Sequence, residues 1–220
     1  MVTDNIKIQP LIVDAIHAVP SNKALIILYG NANKGKTSTL FQLLSLIGNK
    51  SSSILKTAIA TFIQGKMKMK PNKGCYYGDA RIVITYCGIQ IAIATYGDNQ
   101  KNCEDNMSFF RQEKRGNVPF YFFDGTKFVN SSSKNLTINQ RKFLETIHPT
   151  IFISACHEDG ITLEVMKYCS DHYRRNIDLI MWVHKEGLPP TKKSDFCTNN
   201  LRYANDLMDA IDRIANGHIL

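Results

Sequence analysis

The 220-residue sequence contains no apolar run approaching the ~18 residues that a bilayer-spanning helix needs, so no membrane span is expected. It has no C-x-x-C pair and no Cys/His spacing of the kind that holds structural zinc. The six cysteines (Cys75, Cys87, Cys103, Cys156, Cys169 and Cys197) are scattered. Reduced, largely buried thiols in the cytoplasm are therefore expected, and N-x-S/T triplets such as those at Asn49, Asn106 and Asn135 read as coincidences. The opening MVTDNIKIQP carries an acid and lacks the cationic-then-apolar order of a signal peptide. There is no internal repeat, no low-complexity tract, and no helix-turn-helix or zinc module.

What is present is an ordinary globular composition, 44% apolar and 21% charged, enough for a full-size core. The length fits one α/β domain spanning 1–220, with 116–136 as a hairpin or loop insertion. Lys and Arg number 27 against 19 Asp and Glu, for a formal charge of +8. That excess suits a protein that handles polyanions and is silent on fold.

KALIILYG, from Lys23 to Gly30, is a continuous apolar run ending in glycine, the pattern of a strand buried on both faces of a parallel sheet. Leu40, Leu43, Leu44 and Ile47 then recur at helical spacing, with Gly48 as the expected stop. The segment from Lys50 to Pro71 begins apolar and ends with Lys66, Lys68 and Lys70, with Lys73 just beyond. Its basic half reads as a solvated loop, the alternative being a mobile element that reaches toward phosphate. Two β-rich runs, Arg81 to Tyr86 and Ile89 to Thr95, form an expected hairpin, and aromatic runs around Asp124-Gly125 form another. Thr137 and Gln140 stand at capping-box spacing before a helix. TIFISAC and NIDLIMWVHKEG read as further strands. A helix around Ile161 to His172 separates them, and a last helix follows with Leu201, Ala204, Met208, Ile211 and Ala215 along one stripe. Buried strands alternating with helices predict an α/β three-layer sandwich: a mostly parallel sheet, helices on both faces, and an antiparallel hairpin.

Gly30-Asn31-Ala32-Asn33-Lys34-Gly35-Lys36-Thr37 matches G-x-x-x-x-G-K-[ST] in full. Glycines let successive backbone N–H groups turn inward on phosphate oxygens, and the following helix adds its positive N-terminal end. Lys36 would bridge β- and γ-phosphates, and the Thr37 hydroxyl would ligate Mg²⁺. The expected nucleotide-contacting set runs from Gly30 through Thr37 to Ser38. The stretch resembles the Walker A motif of the P-loop NTPase superfamily, a resemblance that organises roughly the whole chain. Asn33 is similar to the variant common among GTPases related to translation factors, where it helps to place a monovalent cation. Lys34 either points to solvent or adds a second positive charge.

A carboxylate near Mg²⁺ is expected at a neighbouring strand end. Asp98, closing IQIAIATYGD, is the preferred metal-associated and catalytic acid; Asp124 competes but fits a hairpin turn better. The hairpin before Asp98 resembles the order in small GTPases, although the glycine precedes the acid, unlike D-x-x-G. His157 and Glu158 are candidates for orienting water, or else members of a plain polar loop. Arg111 and Arg115 are candidates for a positive finger, or else a solvated helix face, and Arg174 and Arg175 read as solvated. No [NT]-K-x-D tetrad is present; KKSD, from Lys192 to Asp195, comes nearest, so ATP is favoured and GTP stays open. The leading expectation is a Mg²⁺-dependent ATPase, or an NTP switch completed by a protein partner or a second copy. A small-molecule kinase, and a GTPase-like or nucleic-acid-associated regulatory module, are the alternatives.

Overall fold

The computed structural model of the protein describes residues 9–10, 23–31, 35–70, 74–110, 118–173, 177–186 and 193–217. In chain order these form β1 (Gln9–Pro10), β2 (Ala24–Tyr29), α1 (Lys36–Asn49), α2 (Ser53–Lys66), β3 (Met67–Lys70), β4 (Gly74–Tyr77), β5 (Arg81–Tyr86) and β6 (Ile89–Ala94). Then come α3 (Gln100–Phe110), β7 (Tyr121–Phe123), β8 (Phe128–Asn130), α4 (Ile138–Glu145), β9 (Ile151–Cys156), α5 (Gly160–Tyr173), β10 (Leu179–His184) and α6 (Lys193–Ala215).

Eight strands share one sheet in the order β1-β10-β2-β9-β6-β5-β7-β8. Its centre, β10-β2-β9-β6, is parallel throughout. Strand β5 returns antiparallel to β6, and β7 runs parallel to β5, so both point opposite to β2. The apolar run of β2 explains its place: Ala24 to Leu28 are buried, and a strand covered on both faces needs no polar alternation. Its side chains alternate between two cores. Ala24, Ile26 and Leu28 join buried residues of α1, α2 and α6, while Leu25 and Ile27 join Cys103 and Met107 of α3 and Met166 of α5. The expected α/β sheet with helices on both faces is therefore observed.

Local sequence explains several ends. Thr137 caps α4 with a complete capping box: Gln140 N donates to its hydroxyl at 3.2 Å, and its own N–H donates to Gln140 Oε1 at 2.9 Å. The β7–β8 hairpin lies at one edge of the main sheet.

Other expectations are corrected. The basic half of the 50–71 segment is not a loop: α2 runs to Lys66, and MKMK then forms β3, paired antiparallel with β4. Leu55, Ala58, Ile59, Phe62 and Ile63 recur at helical spacing and pack into the core, while the MKMK alternation has the period of a strand. Lys66 is tied down by donating to Tyr121 Oη at 3.0 Å, with its ammonium 4.2 Å from that ring's centroid. Helix α1 ends at Asn49, one residue past the expected stop at Gly48, which packs against Ile59. On α6 the buried stripe is Tyr203, Ala204, Leu207, Met208 and Ile211, whereas Leu201 is exposed. Cys103, Cys156 and Cys169 are buried as expected; Cys87 and Cys197 are exposed.

Candidate functional site

Helix α1 leaves the carboxyl end of β2 into one layer, and α5 leaves the carboxyl end of the adjacent β9 into the other. Neighbouring strands whose connections part to opposite faces open a crevice at their carboxyl ends, the place where open α/β sheets take ligands. Gly30, Asn31 and Gly35 to Ser38 lie at this point. Ala32, Asn33 and Lys34 fall outside the described residues, as do Arg111, Arg115, Arg174, Arg175 and Lys192. Residues 193–195 belong to the first turn of α6.

Gly35 is the N-cap of α1 with φ 80° and ψ 23°, a left-handed conformation that suits glycine, and no side chain caps the helix. A Cβ there would stand 2.5 Å from Asn200 Oδ1 on α6. The first turn of α1 holds no acid, so the partial positive charge of its N–H groups is uncompensated. Lys36 is buried, and its ammonium curls back to donate to Gly30 O at 2.7 Å and Asn31 O at 2.9 Å. Burial lowers the Lys36 pKa, a fall partly offset by Asp98, Cys156 and Glu158. Thr37 and Ser38 sit half-buried in the same turn.

The acids gather on the β9 and β6 side. Glu158 bridges two elements: Oε1 accepts from Asn31 Nδ2, and Oε2 lies 2.9 Å from His184 Nε2 at the end of β10. The His184 ring stacks on Tyr29 with centroids 4.9 Å apart. Asp98 follows β6 and is 72% exposed, with Oδ1 3.5 Å from His157 Nε2. Its predecessor Gly97 runs against the end of β9, where a Cβ would meet Ala155 O at 2.0 Å, so only glycine lets the chain turn here. Arg81 and Asn106 brace this segment. Arg81 Nε donates to Asn106 Oδ1 at 2.6 Å, Asn106 Nδ2 donates to Tyr96 O at 2.9 Å, and the guanidinium lies 4.4 Å from the Tyr96 ring centroid.

Asp124 is far from this constellation. Because β7 runs opposite to β2, Asp124 lies at the other end of the sheet, accepting from Thr126, Lys127 and Gln140. It is a turn residue. β6 is also separated from β2 by β9, so Asp98 does not follow the strand next to the glycine loop.

Sequence reading missed two groups. Asp79, half-buried before β5, accepts from Thr95 Oγ1 at 3.2 Å, and burial followed by the Asp98 charge raises its pKa. Lys185, directly after β10, is wholly buried, and its ammonium has no hydrogen-bond partner among the described residues. Neither lies in a motif, and only the strand order brings them to the crevice. Among the described residues no group of three or more His, Cys, Asp or Glu side chains is arranged to hold a metal ion. No helix among them is long and apolar enough to cross a membrane. No protein-family model matches the chain, and neither a curated protein nor a solved structure shows significant similarity to it.

Proposed function

We propose that the chain is a P-loop nucleotide-binding protein that hydrolyses the β–γ bond of a nucleoside triphosphate, ATP in preference to GTP, with Mg²⁺. One observation carries the reading: Lys36 lies buried at the uncapped start of α1, its ammonium turned onto two carbonyls of the glycine loop. A buried cation beside helix N–H groups that no acid of the first turn offsets is a good arrangement around phosphate. The Gly35 cradle fits the same polyanion.

In this reading the N–H groups of α1's first turn hold the phosphates, and Lys36 exchanges its loop carbonyls for phosphate oxygens. Thr37 and Asp98 would hold Mg²⁺, with phosphate oxygens and water completing an all-oxygen set. The ion supplies charge neutralisation between the terminal phosphates. Glu158 and His157, presented at the end of β9, orient a water for attack on the γ-phosphorus. The preference for ATP rests on the missing guanine-reading tetrad.

Calorimetric titration of the full chain with Mg·ATP and Mg·GTP, followed by phosphate-release assays with and without Mg²⁺, tests the proposal. Binding that Lys36→Ala abolishes, with Mg²⁺-dependent phosphate release, is expected. No heat from either nucleotide would remove the nucleotide reading. Binding without Mg²⁺-dependent turnover would remove the hydrolase half.

A further inference from the structure

Lys185 stands out among the charged side chains because nothing in the proposed chemistry so far uses it. It is 0% exposed, and its Nζ has no hydrogen-bond partner among the described residues. A buried ammonium ordinarily has a carboxylate or several carbonyls around it, since leaving it bare forfeits its hydration without return.

The surroundings of Lys185 are cationic and aromatic. The ammonium lies 4.3 Å from the centroid of the Tyr203 ring on α6. The charges that act on it come from Arg202 on α6 and Lys36 on α1, both positive. On its own segment, Glu186 donates its backbone N–H to Tyr203 Oη at 3.0 Å. His184, the preceding residue, is engaged with Glu158 through Nε2, and its Nδ1 lies 3.9 Å from Glu186 Oε1. The backbone of Lys185 abuts the glycine loop: a Cβ on Gly30 would meet Lys185 O at 2.5 Å and Lys185 Cβ at 3.4 Å. Lys185 N also donates to Tyr29 O at 2.7 Å, which locks this position to the start of the loop.

Lys185 therefore abuts the start of the β2–α1 loop under the like charges of Arg202 and Lys36, and among the described residues its ammonium has no hydrogen-bond partner. The acids of the crevice, Asp98 and Glu158, come from β6 and β9, on the opposite side of β2 from β10. Such an arrangement is half of an ion pair whose other half is a ligand.

We propose that Lys185 is a second ligand-binding cation of this site, one that receives an anionic oxygen of the same nucleotide that Lys36 holds and gains a proton on doing so. This rests on the nucleotide reading above. Burial first, then Arg202 and Lys36, bring the free Lys185 ammonium down to about 7. At pH 8 the free amine is then about nine-tenths neutral. A phosphate oxygen beside it favours the charged form, so binding draws a proton from solution.

Calorimetry at pH 8 in two buffers of different ionisation enthalpy tests this with Mg·ATP, Mg·GTP and inorganic triphosphate, on the wild type and on Lys185→Met. The wild type should take up close to one proton per nucleotide bound. Lys185→Met should bind roughly ten- to a hundredfold more weakly, the loss of one charge-assisted hydrogen bond, and take up none. Wild-type binding without proton uptake overturns the inference, a measurement that needs no variant. A folded Lys185→Met that binds and takes up protons like the wild type overturns it as well. Both results leave the nucleotide reading intact. If the wild type binds none of the three probes, that reading fails and takes this one with it.

Discussion

Replacing Lys185 by methionine has a consequence for stability that needs no ligand. Burial and two neighbouring cations lower this amine from its ordinary 10.5 to about 7. In the unfolded chain it is fully protonated at pH 7, whereas in the folded protein it is about half protonated. The unfolded state binds more protons between these two values, so this group's contribution to stability rises as pH rises through that window. At ~1.4 kcal/mol for each pH unit, the lysine costs the folded state about 4 kcal/mol at pH 7 and about 2 kcal/mol at pH 9. Methionine fills a similar volume without a charge. It forgoes the contact with Tyr203, worth about 1–2 kcal/mol in a dry setting. Lys185→Met should therefore be more stable than the wild type by about 2–3 kcal/mol at pH 7. The gap should shrink by about 2 kcal/mol by pH 9 and be flat below about pH 6. Urea denaturation of both proteins at pH 6, 7, 8 and 9 reads this directly. A gap that does not change between pH 7 and 9 would show that the amine is not held in a depressed state, and the argument for a bare buried cation would go with it.

Gly97→Ala should cost about 3 kcal/mol or more, because its Cβ would stand 2.0 Å from Ala155 O and backbone must move; the thermal midpoint measures it. Although burial alone would raise it, hydrogen bonds from Lys127, Thr126 and Gln140 hold the Asp124 carboxyl at about 2. Its stabilisation is therefore present above pH 3.8 and lost as pH falls toward 2, so Asp124→Ala should be less stable than the wild type at pH 7 and converge with it in acid denaturation. Asp98→Asn should weaken the Mg²⁺ dependence of nucleotide binding while leaving binding in EDTA unchanged. Equal Mg²⁺ titration curves for variant and wild type would remove Asp98 from the metal site.

Much of the local structure was legible because short-range rules act alone there. The capping box at Thr137 and Gln140, the turn at Asp124-Gly125, and the apolar runs of β2 and β9 each specify their conformation within a few residues. The errors came where a neighbour decides. MKMK reads as a basic loop until β4 supplies a partner strand. Helix α3 was missed because its sequence, QKNCEDNMSFF, is largely polar; among the residues whose burial is described it buries Cys103, Asn106, Met107 and Phe109.

The same division holds at the site. By itself the sequence determined the apolar strand β2 and the helix α1 that follows it, because each is specified by contiguous residues. Tertiary structure alone decided that β9 lies between β2 and β6, that Asp124 faces the far end of the sheet, that Glu158 joins Asn31 to His184, and that Lys185 is buried bare beside the loop. Strand order, direction and burial set those contacts among residues tens to more than a hundred positions apart, and no local pattern encodes them.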